Sequence, residues 1–328
     1  MNERTNENPV RNYQLDNMKA LLIFLVVLGH LLECFSGERK IWLYLVIYSF
    51  HMPAFIYITG YFSRFKPRRL VFKLCYPYLV YQVLYLLFQR HCLGQENTIQ
   101  FATPYWILWY LMSMIIWTLL LQVMDEYVFT KKRIVLIAIL VALMAGFDNS
   151  IGYYLSLSRT AAFLPFFAMG YLRIFDEMIL RGRSKQKILC CTVICILLCL
   201  IWKWRGWLQG RWFYQSMSYD AADYSVWIRM GQLMLACIWI ITLSWLLPSC
   251  KILLFSSIGR YTLPVYLVHG FLVRLIGKFQ LFRWSEGKNL LVAVFLAMGI
   301  CLLLGNKYVE RALHVTIALD WVKRKREG

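Results

Sequence analysis

Runs of about twenty mostly apolar residues recur along this chain, and a run of that length is what a helix needs to cross the hydrocarbon core of a bilayer. No other feature constrains the fold as strongly. Inside lipid every backbone N–H and C=O must be paired within the protein, so only helices and closed barrels can span it, and uninterrupted apolar runs select helices. The stretch NYQLDNMKALLIFLVVLGHLLECF, residues 12–35, opens the series. Ten spans are expected, near 18–35, 41–62, 70–90, 104–124, 133–147, 159–175, 186–203, 226–248, 258–277 and 289–306. The chain reads as one all-α, polytopic membrane domain: a helical bundle over 12–306 and a basic tail over 307–328. The first run has no A-x-A-like cleavage site and reads as a retained span rather than a signal peptide.

A net charge of +19 would point to nucleic acid in a soluble protein. Here 60% of the residues are hydrophobic and the mean hydropathy is +0.54, so the charge is read as topology and no nucleic-acid partner is expected. With the amino terminus inside, the inner segments 1–19, 63–73, 125–133, 173–187, 249–260 and 307–328 hold 24 of the 36 Lys and Arg. Both termini are therefore expected in the cytoplasm, and the tail WVKRKREG is expected to meet anionic membrane lipid. The ten Cys show neither a metal-type CxxC pair nor a disulfide framework. The longest outer loop, 204–225, is rich in aromatics, which suit either the membrane interface or a sugar-binding platform.

Ionisable groups at bilayer depth are costly and are functional candidates for that reason. Glu33 is the acid inside a predicted span, with Asp16 at a mouth. His30, His51 and His269 fall well within spans, each about ten to twelve residues from a span end and so at similar depth. On a helical wheel Lys19 and His30 differ by about 20°, Asp16 and His30 by about 40°, and His30 and Glu33 by about 60°. One face of the first helix thus carries a cation near the inner surface and, roughly 16 Å further out, an imidazole with a carboxylate one turn beyond it. Each His could instead be a packed helix contact. The convergence a three-His metal site needs cannot be read from the sequence, and no metal is expected.

Other features flank these. Pro53 interrupts the second span two residues after His51 and frees a carbonyl that a polar group must satisfy. The loop SRFKPRRLVFK packs Arg64, Arg68 and Arg69 beside two Lys, as positive-inside topology or as a phosphate clamp. Arg159 opens the sixth span on the outer side, against the topology rule. Trp106, Trp109, Tyr110, Ser113 and Trp117 line one side of the fourth span, as the wall of a cavity would.

The segments LDNMKALLIFLVVLGHLLE, SFHMPAFIYITGYF, PYWILWYL, RTAAFLPFFAMGYL and SSIGRYTLPVYLVHGFL, in this order, resemble the acyltransferase 3 family of membrane O-acyltransferases, most nearly its fucose 4-O-acetylase-like branch. The resemblance runs from about residue 12 to about residue 306. It implies about ten helices in a cell membrane, bacterial and cytoplasmic, and transfer of an acyl group, usually acetyl, from cytoplasmic acyl-CoA to a hydroxyl of a cell-envelope glycan or lipid-linked sugar. The family's basic residue and first-helix His, with ten residues between, fall on Lys19 and His30, although many members have Arg at the first position. HMP falls on His51, Met52 and Pro53, and YLxH on Tyr266, Leu267 and His269.

The chemistry expected follows from what O-acyl transfer needs. His30 is the candidate general base, because imidazole is the side chain suited to taking a hydroxyl proton near neutrality. Glu33, or alternatively Asp16, is the candidate to orient it. Lys19, Arg64, Arg68 and Arg69 are candidates for the CoA phosphates. His51, Arg159, His269, Trp106 and Trp109 are candidates for the acceptor sugar or the developing oxyanion. Two competing readings are a transporter or flippase for a lipid-linked sugar and a membrane sensor or scaffold. The first would suit repeated halves with paired broken helices, which the sequence does not display. The second would bind no CoA.

Overall fold

The computed structural model describes residues 11–96, 98, 100–127, 130–176 and 184–317. The basic stretch 321–328 and the inner-segment residues 1–10 and 177–183 lie outside them. The described residues contain helices and no strand. In chain order the helices are α1 (Tyr13–Leu32), α2 (Glu38–Tyr48), α3 (His51–Phe62), α4 (Pro67–His91), α5 (Trp106–Glu126), α6 (Lys131–Met144), α7 (Leu157–Tyr171), α8 (Ser184–Trp204), α9 (Gly210–Tyr214), α10 (Tyr219–Ala222), α11 (Val226–Leu246), α12 (Leu253–Arg260), α13 (Thr262–Lys278), α14 (Glu286–Leu304), α15 (Lys307–Ala312) and α16 (His314–Ile317).

Each expected span coincides with a helix or a helix pair. Seven, counting α2 and α3 together, are long and apolar enough to cross a membrane among the described residues. The other three, α6, α7 and α13, have 14, 15 and 17 residues. The protein is a multi-pass helical membrane protein. α1 is its axis: 72% of its apolar window is buried, and it packs against α3, α12, α13 and α14. α8 lies at the rim with 11% of its window buried.

Two expected spans are broken, each at the place its proline dictates. A proline ring clashes with the carbonyl four residues before it. Pro53 therefore disrupts the chain at Ser49–Phe50, where Phe50 leaves the helical region at φ −145°. The break lies in front of His51 rather than after it, and His51 becomes the first residue of α3. Pro264 in the same way separates α12 from α13 at Tyr261, φ −113° and ψ 44°. At the break, His51 turns its Nδ1 back onto the Ile47 carbonyl oxygen near the end of α2, at 2.8 Å.

α3 and α7 touch backbone to backbone. A Cβ on Gly60 would stand 2.2 Å from the Phe167 carbonyl oxygen, and one on Gly170 would stand 2.0 Å from that of Tyr57. Small residues permit this approach where lipid gives helices no hydrophobic reason to associate. The contact fixes α3, which carries His51, against α7, which carries Arg159.

The aromatics of 205–225 divide: Trp207 is exposed, and Phe213 and Tyr214 line a cavity beside His30. Trp212, Tyr219 and Tyr224 are buried in a small cluster of their own. The wholly buried Arg229 of α11 clamps it, donating to the carbonyls of Ala142 (3.0 Å) and Met217 (3.3 Å) and lying over the Tyr219 ring at 4.7 Å. These rings are core rather than platform.

Candidate active site

His30 sits near the end of α1, its side chain 14% exposed. Its Nδ1 lies 3.5 Å from Glu33 Oε1, and 3.5 Å from the Tyr48 hydroxyl. The i, i+3 spacing on one helix produces the first contact. Glu33 is fixed in turn by two tyrosines: Tyr48 donates to Oε1 at 2.6 Å and Tyr214 at 2.8 Å. Tyr44 stacks on Tyr48 at 4.0 Å between ring centroids and hydrogen-bonds Tyr214 through their hydroxyls. The carboxylate draws the ring proton to Nδ1, which leaves Nε2 of His30 as a lone pair.

The three intramembrane histidines come together. His269 of α13 stacks on His30 at 5.5 Å, and His51 meets Tyr48 edge-on at 4.7 Å. His51 and His269 share one device. Each places Nδ1 within hydrogen-bond distance of the carbonyl four residues earlier, Ile47 at 2.8 Å and Val265 at 2.9 Å. A carbonyl only accepts, so the proton is on Nδ1 and Nε2 presents a lone pair. In this neutral tautomer each ring turns its Nδ1 to its own helix and offers Nε2 as an acceptor.

Two cavities meet at His30. The inner one is lined by Ile23, Val26 and His30 of α1 with Phe55, Tyr110, Tyr266 and His269. On α1 this small cavity, about 30 Å³, extends from His30 as far as Ile23, one turn short of Lys19 on the same helical face. The outer one is lined by His30, Tyr48, His51, Trp106, Trp109, Arg159 and Tyr214. His30, Met52, Ile107 and Trp109 belong to both. Trp106 packs edge-on against His30 at 4.7 Å and lies under the Arg274 guanidinium at 4.2 Å. Its φ of +33° is a rare backbone state for a bulky residue, of the kind concentrated at functional sites. Trp106 also borders a separate cleft of about 610 Å³, whose polar lining includes Gln82, Gln89, Glu96, Thr98, Gln100 and Thr103.

The remaining expected residues divide into two groups. Arg159 is at the site: Nε donates to the Tyr214 carbonyl at 3.1 Å and the guanidinium lies over Trp109 at 5.2 Å. Of the five residues expected along the fourth span, Trp106, Trp109 and Tyr110 line the cavities. Ser113 and Trp117 instead bond Thr160 of α7, both at 2.7 Å. Asp16 is not beside His30. Fourteen residues separate them, roughly 21 Å of helix rise. Asp16 is buried in ion pairs with Arg11 at 2.6 Å and Lys19 at 2.9 Å. Arg64, Arg68 and Arg69 are exposed near this end, with Arg64 over the Tyr171 ring at 5.6 Å.

Tyr48, Tyr214 and Arg274 escaped assignment from the sequence. Tyr48 showed in the spacing of its span, and Arg274 is a charge in a predicted span, a signal as legible as Glu33. Tyr214 ends the five-residue helix α9, which is too short to show a periodicity.

A family model described as an acyltransferase domain matches residues 12–306. The Nodulation protein NolL of Sinorhizobium fredii (strain NBRC 101917 / NGR234) is 27% identical over 324 residues, covering 86% of this chain and 83% of that protein. The Nodulation protein NolL of Mesorhizobium japonicum (strain LMG 29417 / CECT 9101 / MAFF 303099) is 43% identical over 58 residues, 16% of each chain. No solved structure matches. The match across nearly the whole bundle, with the motif residues gathered around two joined cavities, makes this chain a member of the acyltransferase 3 family.

Proposed function

We propose that this membrane acyltransferase moves an acyl group, acetyl in the simplest case, from cytoplasmic acyl-CoA to a hydroxyl of a cell-envelope glycan or lipid-linked sugar, with His30 as general base. One observation carries the reading: His30 lines both of two adjoining cavities, and the Glu33 carboxylate stands 3.5 Å from its Nδ1. Lys and Arg mark the Lys19 end as cytoplasmic, the side where acyl-CoA is made.

The reaction then proceeds in balance. Nε2 of His30 takes the acceptor's hydroxyl proton as that oxygen attacks the thioester carbonyl. Glu33 stabilises the imidazolium so formed. The tetrahedral intermediate breaks its C–S bond, and the proton on His30 goes to the departing thiolate, giving the O-ester and CoA. Arg159, charged at any physiological pH, is the donor suited to the oxyanion, while His51 and His269 in the neutral tautomer offer acceptors. Lys19, as a point charge, and the exposed Arg64, Arg68 and Arg69 supply cations for the CoA phosphates. The amide- and hydroxyl-rich cleft beyond Trp106 supports a saccharide acceptor, since such groups both donate and accept toward vicinal hydroxyls.

The test is melting of the full chain in nanodiscs with and without acetyl-CoA, followed by transfer of labelled acetyl to the glycan and lipid fractions of expressing membranes. A ligand that binds the native state raises the melting temperature. The expected result is a shift in wild type and in His30→Ala, with base-labile label transferred by wild type only. Transfer by His30→Ala would remove the general-base assignment, and no shift with acetyl-CoA would remove the donor.

A further inference from the structure

His269 holds a buried lone pair that nothing in its surroundings satisfies. The residue is 0% exposed, its Nδ1–H points to the Val265 carbonyl, and its Nε2 has no hydrogen-bond partner among the described residues. The tyrosine hydroxyls of the same cavity are already engaged, Tyr266 donating to the Ile107 carbonyl at 2.6 Å and Tyr110 meeting Thr59. Buried acceptors are rarely left unpaired, because an unsatisfied one costs its full desolvation. The rest of the inner cavity is aliphatic and aromatic: Ile23, Val26, Met52, Phe55 and Ile107. A buried acceptor beside His30, set in otherwise apolar walls, suits a slender ligand segment that carries one N–H at a fixed position.

The thioester end of an acyl-CoA, its cysteamine unit, has this character. Four bonds separate its thioester carbon from the nearest amide nitrogen, about 5 Å at full extension by the reach of an extended chain. The His30 and His269 rings are 5.5 Å apart. We propose that His269 Nε2 accepts the hydrogen bond of the pantetheine amide N–H nearest the thioester and so sets the thioester carbon beside His30. The proposal rests on the acyl-CoA donor reading given above. It makes His269 a donor-reading residue rather than a second base, and it explains why its tautomer is locked by a backbone carbonyl: the acceptor nitrogen must face the cavity at all times.

The experiment pairs two donors with three proteins in nanodiscs containing lipid extract of expressing membranes. One donor is S-acetyl-N-acetylcysteamine, which keeps the amide N–H. The other is its ester counterpart, with oxygen in place of that N–H. The readout is the ratio of kcat/KM for labelled acetyl transfer from the two, normalised to folded protein by melting. Wild type should prefer the amide donor by about tenfold or more. His269→Leu should bring the ratio near one, and His269→Gln, whose side-chain oxygen also accepts, should restore part of it. Equal use of both donors by wild type would overturn the proposal, as would a ratio kept in His269→Leu. If His269→Leu does not fold, the wild-type ratio and that of His269→Gln still decide. Wild type that takes acetyl from no thioester, acetyl-CoA included, would instead bring down the donor reading and this proposal with it.

Discussion

Glu33 Oε1 accepts the Tyr48 hydroxyl at 2.6 Å while standing 3.5 Å from Nδ1 of His30. The carboxylate is thus held at the imidazole from the side away from the inner cavity, leaving Nε2 free for chemistry. Glu33→Gln keeps the shape but loses the charge that stabilises an imidazolium and selects its tautomer. Its kcat should fall by between about 10² and 10⁴, with KM for acetyl-CoA little changed. Initial-rate kinetics over a donor series check this. A large rise in KM with kcat retained would place Glu33 in donor binding instead.

Tyr48 and Tyr214 both donate to Glu33, yet they are unequal. Tyr48 is buried and also approaches His30, whereas Tyr214 is half-buried and reaches Glu33 from the segment above α11. Losing a donor to a charged acceptor costs about 1.5–3 kcal/mol where it is buried and less where water can replace it. Tyr48→Phe should therefore lower kcat by at least about tenfold, and Tyr214→Phe by a few-fold at most. Equal losses, measured side by side, would mean that the segment carrying Tyr214 seals the site against water in both substrate-bound and free protein.

Much of this was legible in the sequence because the bilayer imposes a single period and a single length. The helical spans, seven of them long and apolar enough to cross a membrane among the described residues, and the His30–Glu33 pair follow from 100° per residue and a thickness of about 30 Å. What stayed hidden depends on distance between elements. Asp16, read at a mouth and offered as the alternative to Glu33, shares a face with His30 but stands about 21 Å along α1 from it, in ion pairs with Arg11 and Lys19. The break at Phe50 was placed on the wrong side of His51, because the clash of Pro53 is with Ser49, four residues back. Tyr214 and the locked tautomers of His51 and His269 arise from packing and from single hydrogen bonds, which leave no pattern in a string of letters.

At the other end of α1, Lys19 pairs with Asp16, which Arg11 also neutralises. One carboxylate between two cations leaves net positive charge there for a phosphate. Lys19→Ala should raise KM for acetyl-CoA several-fold with kcat retained. Exposed charges act weakly one at a time, so single changes at Arg64, Arg68 and Arg69 should each cost less than about fivefold and the triple change more. Raising the salt should shrink these differences, because exposed charges are screened. A triple variant with unaltered donor KM at low salt would remove the clamp.

Gly170 offers the cleanest test of how the fold serves the site. Its missing Cβ lets α7 rest on the Tyr57 carbonyl, and a methyl there would stand 2.0 Å from that oxygen, a position no rotamer can relieve. Gly170→Ala must push α7 away from α3, at a cost of about 1–3 kcal/mol by analogy with overpacked cores. The melting temperature in nanodiscs should drop. Because α3 carries His51 and α7 carries Arg159, the outer cavity should widen as well, and transfer should suffer more in KM for the acceptor than in KM for acetyl-CoA. Gly152, around which a Cβ would meet nothing within 4 Å, gives the control: Gly152→Ala should leave the melting temperature and both KM values near wild type. If Gly170→Ala melted like wild type, the two helices would have to separate freely. The backbone contact would then not be what holds the two sides of the acceptor cavity in register.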